Sequence, residues 1–207
     1  TDSKWYTKGR ANGLFDTTQE IDKALRTLKS DDLTPGAETM RYSGKPKVNS
    51  KWYRNGCDGV VTNHSGRGHM HFDLHRYLFA SSYALANGKS AQLSDFPKAL
   101  LPAHRNVQDG VTKDYFGDRF RVQVKDRPST TITSHISKDG HYFIHYDPSQ
   151  CRSLTVREAA RLQTFPDSYK FEGNRTAQYH QVGNAVPPLL SVQIAEIVYE
   201  ILKRVRL

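Results

Sequence analysis

Arg152-Ser153-Leu154-Thr155-Val156-Arg157-Glu158-Ala159-Ala160-Arg161-Leu162-Gln163-Thr164-Phe165-Pro166-Asp167 reads as a helix with its start and its stop written in. Thr155 caps the first turn through its hydroxyl. Glu158, three residues on, reaches back to the Thr155 amide, which makes a capping box. Pro166 ends the helix soon afterwards. A second run follows: Gln181-Val182-Gly183-Asn184-Ala185-Val186-Pro187-Pro188. Gly183 and Asn184 tolerate left-handed backbone, so a tight turn is expected over 183–186. Pro187 and Pro188 then open a long helix over 187–205, where a missing N–H costs little. Its Leu190, Ile194, Ile197, Val198, Ile201 and Val205 form one apolar stripe that needs a partner surface.

Upstream of these runs, the pattern predicts a strand over 130–134, a hairpin turn at Asp139-Gly140 and a strand over 141–145. A short helix over 174–181 precedes the turn. Asp118-Arg119-Phe120-Arg121-Val122-Gln123-Val124 alternates as a strand does, with Arg119 and Arg121 on one face. Asp73 caps a helix over 73–86, which Asn87-Gly88 ends. A short helix over 94–100 brings Phe96 and Leu100 to the core. Thr17-Thr18-Gln19-Glu20 is another capping box, ahead of Ile21, Ala24, Leu25 and Leu28 at helical spacing, so 17–29 is an amphipathic helix with a core stripe. Residues 30–58 are loop-rich, with short strands around Arg41-Tyr42 and Trp52-Tyr53. Basic and aromatic residues interleave there, a mixture that holds phosphates and packs on sugar or base, and that equally describes a small domain with a thin core.

The 207 residues suffice for one large domain or two small ones. With 37% hydrophobic and 25% charged residues, much of the surface is exposed or meets a polar partner. A formal net charge of +9 fits a polyanion, and nucleic acid is the first candidate. Cys57 and Cys151 lie far apart. They make no disulfide framework and fit a reducing cytoplasm. No apolar run reads as a membrane span, and no secretory signal is expected. The chain opens on Thr1, not Met, as a piece of a longer protein or a processed chain would.

Cys57, His64, His69, His71 and His75 crowd into one stretch. Zinc is the obvious thought, but no Cys-x-x-Cys partner exists, so no metal is expected. A metal-dependent nuclease drawing on Asn63-His64 and His104-Arg105-Asn106 is a weaker alternative. Gly66 and Gly68 flank Arg67, which allows close backbone approach to a ligand. Arg67 has the reach for a phosphate or a bidentate contact to guanine.

The two opening runs, in this order and spacing, resemble the last two motifs of the DNA (cytosine-5) methyltransferase family. The resemblance extends upstream through Arg127-Pro128-Ser129-Thr130-Thr131-Ile132-Thr133 and His141-Tyr142-Phe143-Ile144-His145. It covers the last third of the chain strongly and the middle third more loosely. It implies an enzyme of a restriction-modification system that moves a methyl group from S-adenosylmethionine to C5 of a cytosine flipped out of double-stranded DNA, after a Cys thiolate adds to C6. The family's Gly-rich cofactor motif, Pro-Cys loop, Glu-Asn-Val motif and Gln-x-Arg-x-Arg motif are not found. Cys57 follows Gly56 and Cys151 follows Gln150. No catalytic residue is therefore expected in this chain. The partner would be an N-terminal catalytic half, in the same longer chain or in a separate subunit.

By carry-over, Asn184, Ala185 and Val186 line part of the S-adenosylmethionine site. Arg157 and Glu158 organise the recognition region, with Arg161 in the same network. His64, Arg67, His69, Arg105 and Arg119 are the candidates for DNA contact. The expected fold class is α+β. A small mixed target-recognition region with short strands and loops (1–126) precedes a strand-hairpin and helix segment (127–182). The last motif and terminal helix (183–207) would complete an α/β, Rossmann-like catalytic domain. A stand-alone DNA-binding module is the competing expectation, separable by whether a catalytic half changes affinity or sequence preference.

Overall fold

The computed structural model describes residues 18–27, 36–41, 49–103, 107 and 117–205. In chain order the elements are α1 (Thr18–Thr27), β1 (Thr39–Arg41), α2 (Ser50–Tyr53), β2 (Val60–Thr62), α3 (His71–Asn87), α4 (Val156–Leu162), α5 (Arg175–Asn184) and α6 (Pro188–Val205). Among the described residues, helices with one short sheet make an α+β fold. The chain divides into two compact units that interleave along the sequence.

The first unit takes Thr1–Pro35, Arg67–Thr130 and Asp139–Leu154. Its core is apolar and aromatic. Tyr77, Leu78, Phe79 and Ala80 of α3 are buried with Phe96, Phe120, Val122 and Ile144. Phe79 and Phe96 stand 4.8 Å apart and Phe96 and Phe120 5.4 Å, tilted as aromatic quadrupoles prefer. On α1, Ile21 and Ala24 face this core, whereas Leu25, expected in the stripe, stays exposed. Thr17 and Leu28 lie outside the described residues.

Three local expectations change here. Helix α3 starts at His71, with Met70 at the cap position. Asp73 sits inside the first turn and spends its carboxylate on Arg76 at 2.7 Å rather than capping. The helix ends as expected, at Gly88 with φ 65° and its N–H on the Ala84 carbonyl. The helix expected over 94–100 is two 3₁₀ turns, Leu93–Asp95 and Lys98–Leu100, separated at Pro97, which has no N–H to carry a helix through. The strands expected over 118–124 and 141–145 shrink to isolated pairings, Val122 with Ile144 and Ile144 with Ser153. Backbone bonds still join the two stretches, Gln123 N–H to the Ile144 carbonyl and Ile144 N–H to the Arg121 carbonyl, while the Gln123 carboxamide accepts from Ser129 Oγ and the Thr130 amide and donates to the Tyr142 carbonyl.

The second unit takes Gly36–Gly66, Thr131–Lys138 and Thr155–Leu207. Strands β1 and β2 pair antiparallel, Thr39 opposite Thr62 and Arg41 opposite Val60. Trp52-Tyr53, expected as strand, is helical. Asn49 turns left-handed, and the amides of Trp52 and Tyr53 return to its carbonyl. The residues expected as a strand over 130–134 form none, and Ser134–Ser137 is a 3₁₀ turn.

Helix α5 runs on through Gly183 and Asn184, so the expected left-handed turn is absent. Gly183 is required by proximity instead. A Cβ there would stand 2.3 Å from the Ser134 nitrogen. Helix α6 has no buried residue along its 18 positions. By length and composition alone, the helical stretch Arg175–Val205 matches a membrane span, at mean hydropathy 1.4 over its most apolar window. This corrects the expectation that no run would qualify.

Candidate functional site

The capping box forms as written. Thr155 Oγ1 accepts from the Glu158 amide at 3.2 Å, and Glu158 Oε2 accepts from the Thr155 amide at 2.8 Å. Helix α4, expected over 155–164, spans Val156–Leu162. It closes at Gln163, where the Thr164 and Phe165 amides fold back onto the Arg161 and Ala160 carbonyls, both at 2.9 Å. This is a Schellman closure with a threonine, at φ 61°, in the left-handed position usually held by glycine.

Arg157 is wholly buried. Its guanidinium donates from Nε to the Thr62 carbonyl at 2.9 Å, from Nη1 to the Pro166 carbonyl at 3.2 Å, and from Nη2 to Thr62 Oγ1 and the Tyr169 carbonyl. It also lies over the Phe171 ring at 5.8 Å. A guanidinium spent on backbone carbonyls fixes chain path and presents nothing to a ligand. Arg161 grips Asp167 with two bonds, 2.7 and 3.1 Å, and Arg54 reaches the same carboxylate at 3.0 Å.

Asp167 was not singled out by sequence, and Asn63 only as a nuclease candidate; both are buried and heavily bonded. The Asp167 side chain is 0% exposed. Asn63 adopts φ 60°, donates to Glu38 Oε1 and the Phe171 carbonyl, and accepts from the Phe171 amide. Its carboxamide is thereby spent, and the other nuclease candidates, His104, Arg105 and Asn106, lie outside the described residues. The partners of Asn63 are 25 and 108 positions away, so only the fold reveals them.

The proposed recognition residues fall in different units. His64, in the second, places Nδ1 3.0 Å from Thr155 Oγ1. In the first, His69 Nε2 takes the Ser153 amide at 3.2 Å, and its ring meets Tyr77 edge-on at 4.8 Å. Burial, helped by the Arg67 charge, lowers its pKa to about 4, so it is uncharged near neutrality. Tyr77, which burial keeps protonated, donates to His141 Nδ1 at 2.8 Å, and His141 Nε2 lies 3.6 Å from Asp139. Burial lowers the His141 pKa against the pull of Asp139 and Asp73. Arg67 is half-buried, its guanidinium carbon 3.8 Å from where a Cβ on Gly140 would stand. Arg119 is half-buried, and its Nε is buried with no hydrogen-bond partner among the described residues. Arg105 lies outside the described residues.

Asn184, Ala185 and Val186 sit where α5 ends. Asn184 and Val186 are exposed, and Ala185 is half-buried. An open carboxamide beside a bare valine, behind small residues, fits the edge of a ligand that is part polar and part apolar, as an adenosyl amino acid is. A separate cleft of about 380 Å³, bordered by Glu38, Lys170, Glu172 and Arg175, includes none of the expected residues. Cys57 Sγ donates to the Val60 carbonyl at 3.0 Å. Burial pushes the Cys151 thiol up to about 12, with Asp147 adding to the shift.

The family described as C-5 cytosine-specific DNA methylase matches residues 23–200. The type II methyltransferase M.Bpa9945I of Bacillus paralicheniformis is 50% identical over 68% of this chain and 30% of its own length. M.DdeI of Desulfomicrobium norvegicum is 39% identical over 85% of this chain and 41% of its own length. M.AquIB of a Picosynechococcus species is 43% identical over 53% of this chain, and there the match covers 85% of the relative. The chain spans less than half the length of M.Bpa9945I and M.DdeI. It belongs to the C-5 cytosine-specific DNA methylase family.

Proposed function

We propose that this chain is the target-recognition and cofactor-edge portion of a DNA (cytosine-5) methyltransferase, and that the nucleophilic thiol lies in another part of the enzyme. The observation that carries this reading is the wet apolar face of α6, a helix with no buried residue and with Ile194, Ile197, Val198 and Ile201 all about half exposed or more. Such a face is expected to be covered in the working protein. The Cys151 thiol agrees: a nucleophilic cysteine needs a lowered pKa, and burial drives Cys151 the other way.

In this reading residues 1–126 recognise the target, 127–182 carry the penultimate motif, and 183–207 return to a Rossmann-like catalytic domain. S-adenosylmethionine, when bound, supplies an electrophilic methyl group. Asn184, Ala185 and Val186 border it, and this chain's part is to bind and orient. The candidates for DNA contact remain His64, Arg67, His69, Arg105 and Arg119, the arginines by their charge. The bonds of Arg157, Glu158 and Arg161 support an organising role for all three. DNA and the catalytic half are the partners, and the cytoplasm is the proposed location.

The test is complementation. The purified chain is expected to transfer no methyl group to DNA, and activity is expected on mixing with a catalytic half that contains a Pro-Cys loop. Methyl transfer by the chain alone would overturn the assignment.

A further inference from the structure

Gln163 and Thr164 are adjacent, yet they grip opposite ends of one short segment. Gln163 is 7% exposed. Its Nε2 points at the Val182 carbonyl at 3.2 Å and the Ala185 carbonyl at 3.4 Å, on the near side of the segment. It also reaches the Ile132 carbonyl at 3.3 Å, in the stretch against which Gly183 packs. Thr164 holds the far side: its Oγ1 accepts the Leu189 amide at 3.0 Å, satisfying one of the orphan donors at the start of α6. Between these two grips lie only Val186, Pro187 and Pro188, and the two prolines have fixed φ.

The backbone of Thr164 explains how one residue reaches that far. At φ 61° it occupies a region that β-branched residues avoid. The two closing bonds of α4 hold it there, and the Trp52 indole donates to its carbonyl at 2.7 Å. Strain that the surroundings over-determine is characteristic of positions where geometry matters. Glycine would satisfy the backbone at no steric cost, but it has no hydroxyl for Leu189.

We propose that Gln163 and Thr164 form a clamp that sets the path of Asn184–Val186 and so positions the edge of the S-adenosylmethionine site. The inference rests on the cofactor reading of those three residues. The clamp residues touch no ligand themselves and act through the segment they hold. The arrangement also ties together the two sequence runs that define the family resemblance, giving the end of the first a role in shaping the second.

The test uses the complete methyltransferase that contains this chain, with S-adenosylhomocysteine as the probe. Thr164→Gly, which suits the left-handed backbone and keeps the fold, is expected to weaken probe binding in calorimetry about tenfold. Its KM for DNA is expected to stay within about twofold. Thr164→Ser, which restores the hydroxyl, is expected to bind within about twofold of the parent protein. In the chain alone, the Leu189 amide is expected to exchange about tenfold faster in T164G than in T164S, a readout independent of the cofactor. If Asn184→Ala weakens the probe and T164G does not, the clamp is overturned. If Asn184→Ala and Ala185→Trp both leave the probe bound as before, the cofactor reading falls and the clamp's purpose with it.

Discussion

Both units bury apolar residues, Phe165, Phe171 and Val182 in the second among them, but they differ in the largest group each encloses. The first buries aromatic and aliphatic side chains, with Phe79, Phe96 and Phe120 at its centre. The second has Arg157, its largest fully buried side chain, at its centre, surrounded by carbonyls, with Asn63 and Asp167 buried alongside. Hydrophobic packing is non-directional and tolerates exchange among side chains of similar volume. A buried guanidinium is directional, and its loss leaves several acceptors without donors. One unit should therefore respond to changes in volume, the other to changes in hydrogen bonding.

The largest expected effect follows from that contrast. Arg157→Met keeps much of the volume and removes every donor, and should destabilise the second unit by about 3 kcal/mol or more. Phe79→Leu, a change of similar size in the first unit, should cost about 1 kcal/mol. Residue-level hydrogen exchange in denaturant separates the two units. Equal costs would break the comparison.

Next comes Asp167→Asn, which keeps shape and removes charge. With Arg54 and Arg161 both on that carboxylate, a loss of about 2 kcal/mol is expected, confined to the second unit. A loss in both units would mean that they unfold as one.

The smallest effect near neutrality is a pH dependence in the first unit. The His69 pKa is lowered to about 4 from an ordinary 6.5. Above pH 6.5 the ring is neutral folded or unfolded. As pH falls below 6.5 the unfolded chain takes up the proton first, so stability drops progressively down to about pH 4. His141, shifted in the same direction, adds to the same limb. His69→Gln should flatten the acid side of the melting-temperature curve. An unchanged curve would show that His69 titrates normally in the folded chain.

What was legible in the sequence was what neighbours decide. The Thr155–Glu158 box, the Gly88 stop, the start of α5 and the extent of α6 are local, and they stand close to where the residues put them. What was not legible depended on distant partners. Trp52-Tyr53 has the residues of a strand, but it is fastened as a helical turn by Thr164 and Arg161, more than a hundred positions on. Gly183 looks like a turn glycine and is a packing glycine, because Ser134 lies against it. Asp73 looks like a cap and is an ion-pair partner. At the site, the helix-borne residues could be named from pattern, but the roles of Asn63 and Asp167 could not, since Asn63 is bonded to residues 25 and 108 positions away and nothing local marks Asp167.

The exposure of α6 has a practical consequence. A lone helix of 18 residues, unsupported by packing, is only marginally stable in water. Its amides should exchange readily while the stripe is wet and slow sharply once another surface covers it. Helix α6 thus acts as a built-in reporter of engagement, readable without substrate.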